Sequence, residues 1–320
     1  MTARVGTRLE EAAQLLEAGE VVAIPTETVY GLAANALDAD ACLRVFEVKE
    51  RPAFDPLIVH VADAARLGEV VAEVPAPAAA LARAFWPGPL TLVLRKRERV
   101  PDVVTSGLDT VAVRQPSHPL AHALLERLAF PLAAPSANLF GRVSPTTAAH
   151  VLEQLGERIP YVLDGGPCAV GVESTIVGWE EGRCVVYRPG GVALEALEEV
   201  VGPLSRARER VQPASPGMLE AHYAPRTPLL LGDLERLLAE HAGRRVAVLA
   251  FRAPRPAVAC AVLAPDGDLA RAARRLFAAL RELDASGAEL VLAEPVPDVG
   301  LGRAINDRLR RAAAARSARP

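Results

Sequence analysis

At 320 residues the chain is too long for one ordinary core, and 51% apolar residues are ample for two. A net charge of −3 gives no general footprint for nucleic acid, and four scattered cysteines (Cys42, Cys168, Cys184, Cys260) without a CxxC pair argue against a zinc cluster or a disulfide framework. No run approaches the ~18 apolar residues of a membrane span, and the N-terminus lacks the apolar core of a signal peptide, so a cytoplasmic, reducing setting is expected.

Thr7 followed by Glu10 fits a capping box before a helix that stops at Gly19. VVAI (21–24) reads as a short strand, and Asp38 as the cap of a helix over 39–48. LIVHV (57–61), TLVL (91–94), TVAV (110–113), PLAA (131–134), YVL (161–163), STIV (174–177) and CVVY (184–187) read as further buried strands. Helical runs fall at 76–85, 119–129 and 145–155, the last with Ser144-Pro145 as its cap and first residue. Several neighbouring strands have no helix between them, so the expected class is α/β with a mixed, twisted N-terminal sheet. Residues 1–201 form that first domain, and 202–228, rich in Pro, Ser, Gly and charge, form a linker. Residues 229–320 then alternate strand (229–231, 245–250, 289–293) with helix (233–241, 268–284, 302–315), the pattern of a small doubly wound, Rossmann-like domain.

The chain has no GxxxxGK[ST], no GxGxxG after its first strand, no GxSxG and no HExxH. His118 and His122 are spaced i, i+4, but no carboxylate stands at the right offset, so no metal ligands are expected. What remains is a set of polar loops at strand ends: PTETVYGL (25–32), KERPAFDP (49–56), APSANLFGRVSPTT (134–147), DGGPCAVGVEST (164–175) and YRPGG (187–191). Lys49 and Arg51 suit a helix C-terminus as well as they suit an anion, and His60 suits a hydrogen-bonded core. Taken together, Lys49, Arg51, Arg114 and Arg188 with many small hydroxyls suit a ligand carrying several phosphates or carboxylates.

PTETVYGLAANAL, the KxRPxxxPLIVHV pattern at 49–61, WPGPLTLVL (86–94), TVAVRQPSHP (110–119), GVESTIV (171–177) and YRPGG resemble threonylcarbamoyl-AMP synthases of the YrdC type. SPGMLEAHYAPRTPL (215–229) and GLGRAINDRLRRAA (300–313) resemble the long, two-domain form. The resemblance implies that L-threonine, bicarbonate (or CO2) and ATP give threonylcarbamoyl-adenylate and pyrophosphate, with Mg²⁺ expected alongside ATP. Downstream tRNA threonylcarbamoyl-transfer enzymes are the implied partners; neither a membrane nor direct tRNA binding is expected. By the same resemblance Lys49 and Arg51 are the catalytic contacts to the phosphates. Asp55, Thr110, Ser136, Asn138, Ser144 and Arg188 complete the ATP site, with Tyr223 of the linker as a lid. Thr28, His60, Arg114, Ser174 and Thr175 hold threonine. Two positions depart from the family pattern: many relatives have Asn at Asp55, and some have Thr at Ala134. Asp55 is expected to pair with a neighbouring Arg or Lys or to sit near the metal. Arg51→Ala is expected to abolish turnover with little change in melting temperature. The competing reading is a double-stranded RNA-binding module without catalysis, served by RKRER (95–99) and RARER (206–210).

Overall fold

A computed structural model describes residues 2–206 and 221–315. The first layer holds strands β1 (Arg4–Gly6), β2 (Val22–Ile24), β3 (Gly31–Asn35), β4 (Ile58–His60), β5 (Leu90–Arg95), β6 (Thr110–Arg114), β7 (Leu132–Ala133), β8 (Tyr161–Leu163), β9 (Thr175–Glu180), β10 (Arg183–Arg188) and β11 (Ser205–Arg206). Its helices are α1 (Leu9–Glu17), α2 (Ala39–Lys49), α3 (Ala76–Phe85), α4 (Asp102–Thr105), α5 (Pro119–Arg127), α6 (Ala148–Leu155) and α7 (Leu194–Val201). The strands form one eleven-stranded sheet among the described residues, ordered β1-β8-β2-β3-β7-β4-β6-β5-β9-β10-β11. Pairing is parallel between β4 and β6 and antiparallel between β5 and β6, so the sheet is mixed.

Several local expectations shift. Arg8, not Thr7, stands at the N-terminus of α1 and makes no side-chain cap; its N–H donates to the Tyr161 hydroxyl instead. The helix after Ser144 starts only at Ala148, with Thr147 accepting from the His150 N–H, so Ser144 is freed for other bonds. Sequence pattern missed β3, because GLAAN lacks β-branched residues. Its strand conformation comes from antiparallel pairing with β2 and from burial. Asp38 caps α2 as expected, accepting from the Asp40 and Ala41 N–H groups.

The second layer comprises β12 (Leu229–Leu231), α8 (Leu234–Glu240), β13 (Val246–Ala250), β14 (Ala259–Val262), α9 (Leu269–Asp284), β15 (Leu290–Ala293) and α10 (Gly302–Ala314). Its sheet is all parallel, ordered β12-β15-β13-β14. Alternation along β13 sorts the two faces. Ala247 and Leu249 join α9 and α10 in one cluster, while Val246, Val248 and Ala250 join Leu234 and Leu237 of α8 in the other. That is the doubly wound arrangement. The α9 side also takes in Val29, Val143 and Val172 of the first layer, so the two layers share a core. Contact there is close. Gly171 has φ +83°, and a Cβ on it would lie 2.3 Å from the Arg274 Cα. Residues 207–220, most of the expected linker and of RARER, lie outside the described residues. No helix among the described residues is long and apolar enough to cross a membrane.

Candidate active site

Neighbouring parallel strands β4 and β6 pair His60 with Arg114 at their C-terminal ends. Crevices at such ends are where α/β sheets take their ligands. The turn leaving β2 delivers Thr28 to the same place. The Thr26 hydroxyl donates to the Val29 carbonyl (2.6 Å) and accepts from the Thr28 and Val29 N–H groups, a hydroxyl-closed turn. Arg114 Nη1 donates to the Thr28 hydroxyl at 2.9 Å, and Nη2 lies 2.5 Å from Glu27 Oε1. Burial works to raise the Glu27 pKa, but the Arg114 charge and hydrogen bonds outweigh it and hold it below its ordinary value.

His60 is buried, and burial, reinforced by the Arg114 charge and opposed by Glu27, pushes its pKa down to about 3. The unfolded chain binds a proton near the ordinary 6.5, which the folded protein refuses until about pH 3. Stability is therefore complete above pH 6.5 and falls as pH drops through that window, by roughly a few kcal/mol from this group. His60→Gln is expected to flatten the dependence of melting temperature on pH between about 6 and 4, leaving the carboxylate losses at lower pH.

The second half of the cleft is cationic. Helix α2 ends where Glu50 turns left-handed (φ 53°) and the Arg51 N–H donates to the Phe46 carbonyl. This turns Arg51 inward. Its Nε donates to the Asp55 carbonyl, Nη2 donates to the Pro56 carbonyl at 2.7 Å, and Nη2 also meets Asp55 Oδ2 at 2.9 Å. Asp55 thus pairs with Arg51, and burial outweighs Arg51, Lys49 and Arg188 to keep its pKa raised. β10 and β9 run antiparallel, which brings Arg188, at the end of one, to Ser174, just before the start of the other; Arg188 Nη2 donates to the Ser174 carbonyl at 2.9 Å. Gly190 is required here, because a Cβ would sit 2.3 Å from the Glu173 carbonyl oxygen.

These groups open on one cleft. Thr28, His60, Arg114 and Ser174 line one part of it; Arg51, Ser136, Arg188 and Tyr223 line the other. Six expected residues stand outside this lining. Lys49 is fully buried, and its ammonium donates to the Ser136 and Asn138 carbonyls (2.5 and 2.6 Å), so it holds the 136–138 turn where a phosphate contact was expected. Asp55 lies behind Arg51. Asn138 is turned back, Nδ2 donating to the Leu139 and Arg142 carbonyls. Thr110 starts β6, about 13 Å along the strand from Arg114, which removes it from the cleft. Thr175 follows Ser174, so the pleat points it away, and its hydroxyl donates to the Val192 carbonyl. The Ser144 hydroxyl donates to Glu173 Oε1 at 2.6 Å.

Sequence reasoning passed over Glu27, Glu173 and His222. Each glutamate is paired with an arginine, Glu27 with Arg114 and Glu173 with Arg308. His222 adjoins Tyr223, is buried among Arg51, Lys49, Arg188 and Arg308, and is held neutral by burial and then by those charges. Among the described residues no three His, Cys, Asp or Glu converge on one point, and the carboxylates at the cleft, Glu27 and Glu173, are each engaged by an arginine. Of the RKRER stretch, Lys96 pairs with Asp102 and Arg97 donates to the Gly68 carbonyl, so these charges pack a loop.

A family model described as "Telomere recombination", covering Sua5, YciO and YrdC proteins, matches residues 14–190, and one described as "Threonylcarbamoyl-AMP synthase, C-terminal domain" matches residues 192–314. The chain is 43% identical to a threonylcarbamoyl-AMP synthase of Pyrococcus abyssi over 96% of both chains. It is 42% identical to one of Bacillus subtilis over 97% of this chain and 94% of that one. The crystal structure of P. abyssi Sua5 complexed with L-threonine superposes with a TM-score of 0.92 at 43% identity, covering 96% of this chain and 94% of that one. The chain belongs to the YrdC-type threonylcarbamoyl-AMP synthase family, in its long form with a C-terminal domain.

Proposed function

We propose that the chain makes L-threonylcarbamoyl-adenylate from L-threonine, bicarbonate or CO2, and ATP, releasing pyrophosphate. The observation that carries this reading is the meeting, in one cleft, of an amino-acid half (Thr28, His60, Arg114) and an anion half (Arg51, Arg188). The threonine nitrogen forms a bond to the CO2 carbon and loses a proton, giving a carbamate. A carbamate oxygen then bonds to the α-phosphorus of ATP as the bond to pyrophosphate breaks. The carbamate and ATP that must meet are both anionic, so the protein's part is to gather charge and align it, with no nucleophile of its own. Arg114 takes the threonine carboxylate, and Thr28 and Ser174 orient the rest. Arg51 and Arg188 take the phosphates beside Ser136. Lys49 and Asn138 act through the 136–138 turn that they hold. Tyr223 and His222 cover the cleft and keep water from a carbamate and a mixed anhydride. Mg²⁺ is expected to arrive with the triphosphate, and no step is assigned to it. Downstream tRNA-modifying enzymes in the cytoplasm would consume the adenylate.

Incubated with ATP, Mg²⁺, threonine and bicarbonate, the protein is expected to release pyrophosphate and form an AMP adduct only when both threonine and bicarbonate are present. Threonine-independent behaviour together with tight binding of double-stranded RNA would favour the RNA-binding reading instead.

A further inference from the structure

One buried side chain of the C-terminal domain has no part in the scheme above. Arg308, on α10, is fully buried. Its Nε donates to Glu173 Oε2 at 2.8 Å, and Nη1 donates to the Pro189 carbonyl at 3.1 Å and to Asp307 Oδ2. Its guanidinium lies 4.9 Å from the centroid of the Tyr223 ring. Glu173 and Pro189 are the chain neighbours of Ser174 and Arg188, two residues of the cleft. The other Glu173 oxygen accepts from Ser144, so one arginine ties together the ends of β9 and β10 and the loop before α6. Tyr223 is itself held in a left-handed conformation (φ 61°) that a tyrosine rarely adopts, with its ring on Arg308 and Phe277 of the C-terminal domain. These bonds hold the junction together, but a well-packed apolar side chain would be cheaper to bury there than a cation.

We propose that Arg308 is a positioning residue of the synthase: through Glu173 and the Tyr223 ring it lets the C-terminal domain seal the cleft over the adenylate. The inference rests on the function proposed above. Loss of the seal would admit water, which breaks the carbamoyl–phosphate C–O bond to give AMP and N-carboxythreonine, and the latter falls to threonine and CO2.

The test uses the full chain in molar excess over ATP, with Mg²⁺, threonine and labelled bicarbonate, so that the adduct stays on the protein. The ratio of AMP to intact adduct is read after acid quench, beside the melting temperature. Arg308→Met is expected to raise that ratio about tenfold, and Arg308→Lys, which keeps the charge but not the planar fork, to raise it by less. Because Arg308→Met strands the Glu173 carboxylate, the double variant R308M/E173Q, which removes both charges, is measured with E173Q as its control. A wild-type-like ratio in folded R308M, or in R308M/E173Q relative to E173Q, overturns the proposal, whatever happens to the melting temperature. If the wild-type protein makes no threonine-dependent pyrophosphate, the functional reading falls and this inference falls with it.

Discussion

Arg51→Ala is expected to abolish threonine-dependent pyrophosphate release and also to destabilise the fold by roughly 3–5 kcal/mol, the usual result of removing one partner of a buried ion pair. The second half of this outcome reverses what the sequence suggests. A cation just past a helix end reads as solvated, and its loss should leave the melting temperature alone. In the fold, however, Asp55 is fully buried behind Arg51, and Arg51 also satisfies the carbonyls of Asp55 and Pro56. Removing the guanidinium strands a carboxylate and two acceptors together. The double variant R51M/D55N separates the two losses. It takes out both charges while keeping side-chain volume, so most of the stability is expected to return; activity is not, because the phosphate contact is still missing. Urea melts and pyrophosphate assays on the three variants check this. Recovery of activity in R51M/D55N would remove Arg51 from the phosphate site.

The same pair explains the departure at Asp55. A carboxylate beside a triphosphate would be repulsive, but this one faces an arginine and is walled from the cleft. Burial still keeps its pKa raised, and a buried ion pair is in general weak support for stability. The pair fixes where the Arg51 guanidinium points and adds little to stability.

Long, strongly patterned segments were legible from sequence. α3 and β8 lie where periodicity puts them, and the three long apolar runs of the C-terminal domain are strands of one parallel sheet. Segments whose conformation is set by partners were not legible. β3 is a strand because β2 lies beside it, and β14 (Ala259–Val262) because β13 does. The site divides along the same line. Residue type and strand-end position singled out Arg114 and Arg188, and the family resemblance added His60 and Ser174; all four line one crevice. Side-chain direction was not readable. The pleat decides that Ser174 faces the cleft and Thr175 does not, and a buried lysine can as well hold two carbonyls as a phosphate. Least visible were the glutamates. Glu27 and Glu173 are intelligible only as partners of Arg114 and Arg308, residues 87 and 135 positions away.

Arg114→Gln is expected to cut kcat/KM for threonine by roughly 30- to several-thousand-fold, mostly through KM, since losing a buried charge-assisted contact to a carboxylate costs about 2–5 kcal/mol. Its effect on stability should lessen as pH falls. In the wild-type protein the Glu27 pKa is held below its ordinary 4.5, so its contribution is present above 4.5 and is lost as pH falls through the lowered value. Without Arg114 the burial that Arg114 overcame is left unopposed, and the folded Glu27 pKa rises above 4.5. The folded state of the variant then binds the proton more tightly than the unfolded chain does. From Glu27, stability is gained as pH drops from 7 toward 5. His60 acts in the opposite direction over that range in both proteins, so the quantity to read is the difference in melting temperature between variant and wild type at each pH. That difference should shrink as pH falls from 7 to 5 for Arg114→Gln and stay level for R114Q/E27Q, in which no carboxylate is left to titrate. A difference that stays level for Arg114→Gln as well would mean that Glu27 finds another cation, and Arg114 would lose its place as the group that makes this end of the cleft receptive to a carboxylate.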